Sequence, residues 1–335
     1  MSETTTYLPG LSVERYLAEV QARHPRLREL LDPERFGSGA TMNRLCALTN
    51  EFDSDDSGRG GTYRRAHRDP LVRWTGAQQL LRLAAPADRG PEVLVLDVLG
   101  GDGLLARVAH LRPEQLPDGL TVLTGDISGP MVAAALAHGL PAVRQAADQL
   151  LLADRTVDAV LLAYGTHHIP VEERPLAVAE AVRVVRPGGR VVLHDFDPAS
   201  PMAVFFGTVV DRHGAVPHDY PHFSRDRLWD LFADHPVQTR LLDLYDPVTL
   251  RAPSPDLARA AAVAYFADSY GLAAHFAALG TDGAWDLLCE SFDHSDYPQL
   301  PEGRPSRPTV RPAEGGWAAE VPRVALVAVA ETPRP

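Results

Sequence analysis

The segment 93–109, VLVLDVLGGDGLLARVA, sets the tightest limit on what this chain can fold into. An unbroken apolar run, a glycine cluster and an apolar continuation predict a strand, a tight turn and a helix in direct succession. The run does not alternate with polar residues, so the strand must be covered on both faces, as in a parallel sheet. The same grammar repeats downstream. Strands are expected at 92–99, 120–127, 142–146, 157–164 and 190–196, with helices at 103–111, 129–138 and 171–186 between them. Such alternation predicts an α/β, Rossmann-like sheet with helices on both faces and ligands at the carboxyl ends of the strands.

The flanks read differently. Val13, Tyr16, Leu17, Val20, Leu27, Leu30 and Leu31 recur at helical spacing, which predicts an amphipathic helix over 12–31, stopped by Pro33. The acidic, Gly-rich stretch 50–62 reads as a loop, and 70–85 as a helix ending at Pro86. Beyond 197 the chain is aromatic and His-rich to 223, followed by a helix at 224–234, a strand at 239–245 and a helical stretch at 254–292. Residues 298–316 read as a Pro-, Gly- and Arg-rich loop, and Arg323–Ala330 as a buried last strand.

Composition excludes several classes of function. The net charge of −12 argues against nucleic-acid and anionic-membrane partners. No apolar run reaches the roughly 20 residues that span a bilayer, and MSETTTYLPG lacks the features of a signal peptide. Cys46 and Cys289 supply no disulfide framework, so a reducing, cytoplasmic setting is expected. The chain contains no lysine. Schiff-base chemistry and P-loop phosphate binding are thereby excluded, and bidentate carboxylate recognition falls to arginine.

Gly100, Gly101 and Gly103 permit close approach of backbone to a ligand, but their spacing is not that of a dinucleotide fold. Asp126, in LTGDIS at the end of the second core strand, can accept both hydroxyls of a ribose, and it suits equally an N-cap for the helix starting near Pro130. With VDAVLLAYGTHHIP and RVVRPGGRVVLHDF these segments, in this order over 92–197, resemble the core motifs of class I S-adenosylmethionine (SAM)-dependent methyltransferases. The resemblance implies that Asp97, Gly100, Gly101 and Gly103 surround the methionine part of SAM. Asp126 would bind the ribose, Ala147 and Asp148 would lie beside the adenine, and Tyr164 beside the sulfonium. Leu99 and Ala146 depart from the family pattern. The implied organisation is a helical lid region (1–85), a SAM-binding core (86–200), an acceptor region with a helical insertion before the last strand (201–320), and the final core strand with its tail (321–335).

The acceptor site must come from outside the core. Tyr63, Arg64 and Arg65, in GGTYRRAHRDP, suit a carboxylate clamp. His218 and His222 would share a face if their segment were helical, and with His294 or Asp197 they suit a divalent metal. GGTYRRAH, PHDYPHFSRDRL and YDPVTL with AYFADSYGL are similar to bacterial C-methyltransferases acting on the β-carbon of 2-oxo acids in peptide-antibiotic biosynthesis. That resemblance implies an iron or zinc ion held by His218 first and His294 second, with His222 and His213 as weaker candidates. The acceptor would be a small 2-oxo acid, methylated through a metal-stabilised enolate. The expected catalytic residues are His218, His222 and His167, with His167, His168 or His222 as base. Enzymes of this kind are often homodimers. The alternatives are a metal-independent O- or N-methyltransferase of a natural product, and a SAM-binding protein that transfers no methyl group.

Overall fold

The computed structural model describes residues 6–54, 59–86 and 90–334. Strands β1 (Thr6–Leu8) and β2 (Leu11–Ser12) open the chain as an antiparallel ribbon. The remaining strands in chain order are β3 (Val93–Asp97), β4 (Leu120–Asp126), β5 (Ala142–Arg144), β6 (Val157–Leu162), β7 (Val185–Asp195), β8 (Gln238–Tyr245), β9 (Val248–Ala252), β10 (Thr309–Ala313), β11 (Gly316–Val321) and β12 (Val324–Glu331).

A seven-stranded sheet in the order β5-β4-β3-β6-β7-β12-β8 forms the core. The five strands from β5 to β7 are parallel; β12 pairs antiparallel with β7 and with β8. Every residue of β3 is buried, as an apolar run without alternation requires. Val95 and Leu96 are wholly inaccessible, each side chain contributing about 1.5–3 kcal/mol through burial. Helices Leu104–Leu111, Gly129–Ala137 and Arg174–Val184 connect the parallel strands. Ser128 caps the second of these, its side chain accepting from the Met131 N–H. The strand order reverses between β3 and β6, so a crevice opens there at the carboxyl ends of the strands.

A second sheet, β10-β11-β9, is antiparallel and three-stranded. Helices Pro255–Tyr270 and Ala273–Ser291 lie between β9 and β10, which is the insertion expected before the last strand. No described helix is long and apolar enough to cross a membrane.

Several local expectations are corrected. The helix expected over 12–31 is two, Val13–Arg23 and Pro25–Leu30, because His24 precedes a proline and leaves the helical region (φ −135°, ψ 59°). The acidic loop gives way at Gly60 to a helix, Gly60–Ala66, and its residues 55–58 lie outside the described residues. Strand β10 occupies part of the expected 298–316 loop. Its Pro312 is tolerated because β10 is an edge strand. The segment holding His218 and His222 is not helical, since helix Asp211–His213 ends at Gly214 in an extended conformation.

Candidate active site

Two adjoining cavities occupy the crevice. The larger, about 340 Å3, is floored by the turn after β3 and by the ends of β4 and β6. Gly101, Asp126, Ala147, Asp148 and Tyr164 line it. The smaller, about 40 Å3, is enclosed by Arg59, Arg73, His167, His168, Phe206 and His218, among others. Phe52, Tyr63, Tyr164 and His168 line both cavities. The wall between the two cavities is therefore aromatic.

The turn explains itself from its glycines. Gly103 has φ +89°, and a Cβ there would sit 2.3 Å from Leu140 Cδ1. A Cβ on Gly100 would sit 2.8 Å from Thr124 Cγ2. These two glycines let the turn pack on the sheet, whereas Gly101 presents its edge to the larger cavity. Asp126 fixes the turn: Oδ2 accepts from the Gly101 N–H and Oδ1 from the Ser128 N–H, each at 2.8 Å. A carboxylate has about four acceptor positions, so capacity remains for ribose hydroxyls. Burial pushes the Asp126 carboxyl up to about 6. Asp97 lies behind the turn with Oδ1 buried and unpartnered, and burial followed by Asp126 raises it well above the usual range. Asp148 accepts from Arg44 at 2.6 Å on the cavity rim. Gln145 also lines the cavity and keeps Nε2 buried without a partner.

The smaller cavity gathers histidines. Ligand atoms of His167, His168 and His218 all lie within 4.8 Å of one another. His167 Nδ1 donates to Asp195 Oδ2 at 3.0 Å, and His222 Nδ1 donates to Asp195 Oδ1 at 2.9 Å. His168 Nδ1 faces Glu51 Oε1 at 3.6 Å. The His218 ring is buried and stacks on Phe206 at 3.9 Å, and neither of its nitrogens has a hydrogen-bond partner. Burial, then His167 and Arg59, push His218 down to about 2, so its ring is neutral. Burial, then His167 and His218, likewise hold His168 well below the usual histidine range. Phe206 opens a π-helical turn, Phe206–Val210, which aims its ring at His218.

Tyr164 links the cavities to a charged interior. It adopts φ +61°, which is unusual for a bulky residue. Its hydroxyl donates to Asp246 Oδ1 at 3.2 Å. Asp246 Oδ2 receives Arg323 Nη2 at 2.6 Å, and both side chains are fully enclosed. Burial would raise the Asp246 carboxyl, but Arg323 and His194 hold it below its ordinary value.

Of the residues marked from sequence, Tyr63 lies between the cavities. Arg65 is exposed, pairs with Asp268 at 2.7 Å, and borders a separate surface groove. Arg64 lines neither cavity. His222 joins the histidine cluster through Asp195, whereas His294 stands apart, with Nδ1 on the Phe292 carbonyl. Asp197 caps a turn at Ala199, whereas Asp195 lies beside His167 and His222. Glu51, Arg59, Arg73 and Asp246 also line or border the cavities, and nothing local in the sequence singles them out. Each is brought in by tertiary packing.

Residues 96–193 match the methyltransferase-domain family model. The chain is 34% identical over 120 residues to a demethylmenaquinone methyltransferase of Mycolicibacterium paratuberculosis, covering 36% of this chain and 48% of the relative. It is 30% identical over 141 residues to a ubiquinone/menaquinone biosynthesis C-methyltransferase of Brucella anthropi, covering 39% and 48%. The chain thus spans about half the length of the curated relatives it matches. In fold it is similar to phosphoethanolamine N-methyltransferase 2 of Haemonchus contortus, solved with SAM (TM-score 0.51, 15% identity, 86% of this chain and 61% of that one). Residues 96–193 thus match a methyltransferase domain, on a sheet of Rossmann-like fold.

Proposed function

We propose that this protein transfers a methyl group from SAM to the β-carbon of a small 2-oxo acid, at a metal held by His167, His168 and His218. The observation that carries the reading is the trio of imidazoles beside the cofactor cavity, with both His218 nitrogens unpartnered. A buried polar group without a partner is costly, and a metal ion would use it. The neutral state of His168 and His218 suits ligation. A carboxylate accepts from Nδ1 of His167, which is how a ligating imidazole is oriented. A bound divalent ion supplies Lewis acidity toward a keto oxygen.

The remaining steps belong to the chain. Asp126 and Gly101 would hold the cofactor, and Tyr164 would sit where its methyl group meets the acceptor. His222, the fourth imidazole, is anchored by Nδ1 on Asp195 and would accept the β-proton at Nε2. Phe52, Tyr63 and Phe206 keep water out. The relatives' names specify quinones, but a cavity of about 40 Å3 has room for only a few waters and suits a compact acceptor.

The reading is tested by dialysing the protein against a chelator and restoring metal. Transfer to a 2-oxo acid should vanish and return. Undiminished transfer by metal-free protein would overturn it.

A further inference from the structure

Three arginines line the acceptor cavity: Arg59, Arg73 and Arg323. Two are compensated. Arg59 Nη1 pairs with Glu51 at 2.9 Å, and Arg323 pairs with Asp246 at 2.6 Å. Arg73 is only 5% exposed and makes no ion pair among the described residues. Its Nε donates to the Tyr265 hydroxyl at 2.7 Å, and its guanidinium lies 4.8 Å from the centre of the Tyr164 ring.

The support behind Arg73 has a defined direction. Tyr265 accepts from Arg73, so its own proton points to His67 Nε2, 3.0 Å away. His67 Nδ1 then carries the hydrogen and donates to the Tyr63 carbonyl at 2.9 Å. His67 is wholly buried and lies tilted against Tyr63, 4.1 Å between ring centres. The relay holds the guanidinium in one orientation against the cavity without neutralising it. Asp246 acts on Arg73 only at a distance and is itself paired with Arg323. A buried cation without a direct ion-pair partner can still gain from an anion entering the cavity.

We infer that Arg73 is the carboxylate anchor of the acceptor site, with Tyr265 and His67 as positioning residues, and that the site selects anions over neutral acceptors. The inference rests on the acceptor reading above and names the residue that recognises the acid. The planar fork of arginine matches a carboxylate in a way lysine does not.

The test uses S-adenosylhomocysteine-loaded protein of matched metal content, titrated calorimetrically with 2-oxobutanoate and with its neutral amide. Wild type should bind the acid and not the amide. R73M should bind the acid at least about tenfold more weakly, with unchanged S-adenosylhomocysteine affinity. R73K should recover part of the loss, and Y265F should weaken the acid less than R73M does. Equal binding of the acid by wild type and R73M, or equal binding of acid and amide by wild type, overturns the anchor. The two readings separate cleanly. Acid bound through Arg73 but never methylated on carbon leaves the anchor standing and removes the methylation reading. Methylation with the same KM in wild type and R73M does the reverse.

Discussion

His167 Nδ1 donates to Asp195 Oδ2 across 3.0 Å, which leaves Nε2 as the ring nitrogen of His167 able to take a ligand. Both partners are nearly inaccessible, with side chains 6% and 1% exposed. An imidazole fixed in this way is a better oriented metal ligand. Asp195→Asn should therefore lower metal affinity about 10–100-fold while leaving the fold intact. Metal content after competition with a calibrated chelator checks this, and retained affinity would remove Asp195 from the site.

Cofactor binding should respond to acid through Asp126. Burial sets its carboxyl at about 6, and the ionised form is the better acceptor for ribose hydroxyls. Affinity for S-adenosylhomocysteine should be flat above that pH and fall as pH drops through it. The stability sign is opposite. The folded value lies above the ordinary 3.8, so this group favours the folded apo protein at low pH, and that contribution is lost as pH rises through about 6. Asp126→Asn should abolish the pH step in binding; a step that persists in the variant would place its origin elsewhere.

The Arg323–Asp246 pair should behave as a buried ion pair behind the acceptor cavity. Arg323→Met leaves Asp246 charged and enclosed, and should cost about 3–5 kcal/mol in denaturant unfolding. The double variant Arg323→Met/Asp246→Leu should cost less than the single one. A single variant within about 1 kcal/mol of wild type would show that the pair is not desolvated.

Gly103→Ala should be destabilising. It places a Cβ at φ +89° and 2.3 Å from Leu140 Cδ1. The conformation alone costs about 1–2 kcal/mol, and the steric clash adds to it. Gly10→Ala, at φ +70° with open space around it, carries the conformational cost without the clash and serves as the control. Equal losses in the two would deny the clash.

What was legible in sequence was what is local. The apolar run of β3, the glycine turn and Asp126 at the end of β4 carry their structural reason within a few residues, and the crevice follows from them. The second sheet was not legible. Strand β11 (GWAAEV) and β9 (VTLRA) form through pairing with each other across the helical insertion, and Pro312 in β10 reads as a loop until its edge position is known. Arg73 sits in DPLVRW, where it reads as a helix-start arginine; nothing nearby in sequence announces its burial. Grouping His218 and His222 with His167 was within reach of the sequence, but adding His168 and Asp195 and leaving out His294 was not. His167 and His168 follow β6, His218 and His222 lie in an irregular segment, and Asp195 ends β7. Only the tertiary fold brings these three segments together.

Product analysis offers the most direct test of the central claim. The enzyme, loaded with metal, is given SAM carrying a carbon-13 methyl group and a panel of short 2-oxo acids, and the product is read by NMR. The account predicts the labelled methyl on the carbon next to the ketone, coupled to the β-hydrogen. Label on an oxygen or nitrogen, or on no acid in the panel while a neutral quinone is methylated, would contradict it.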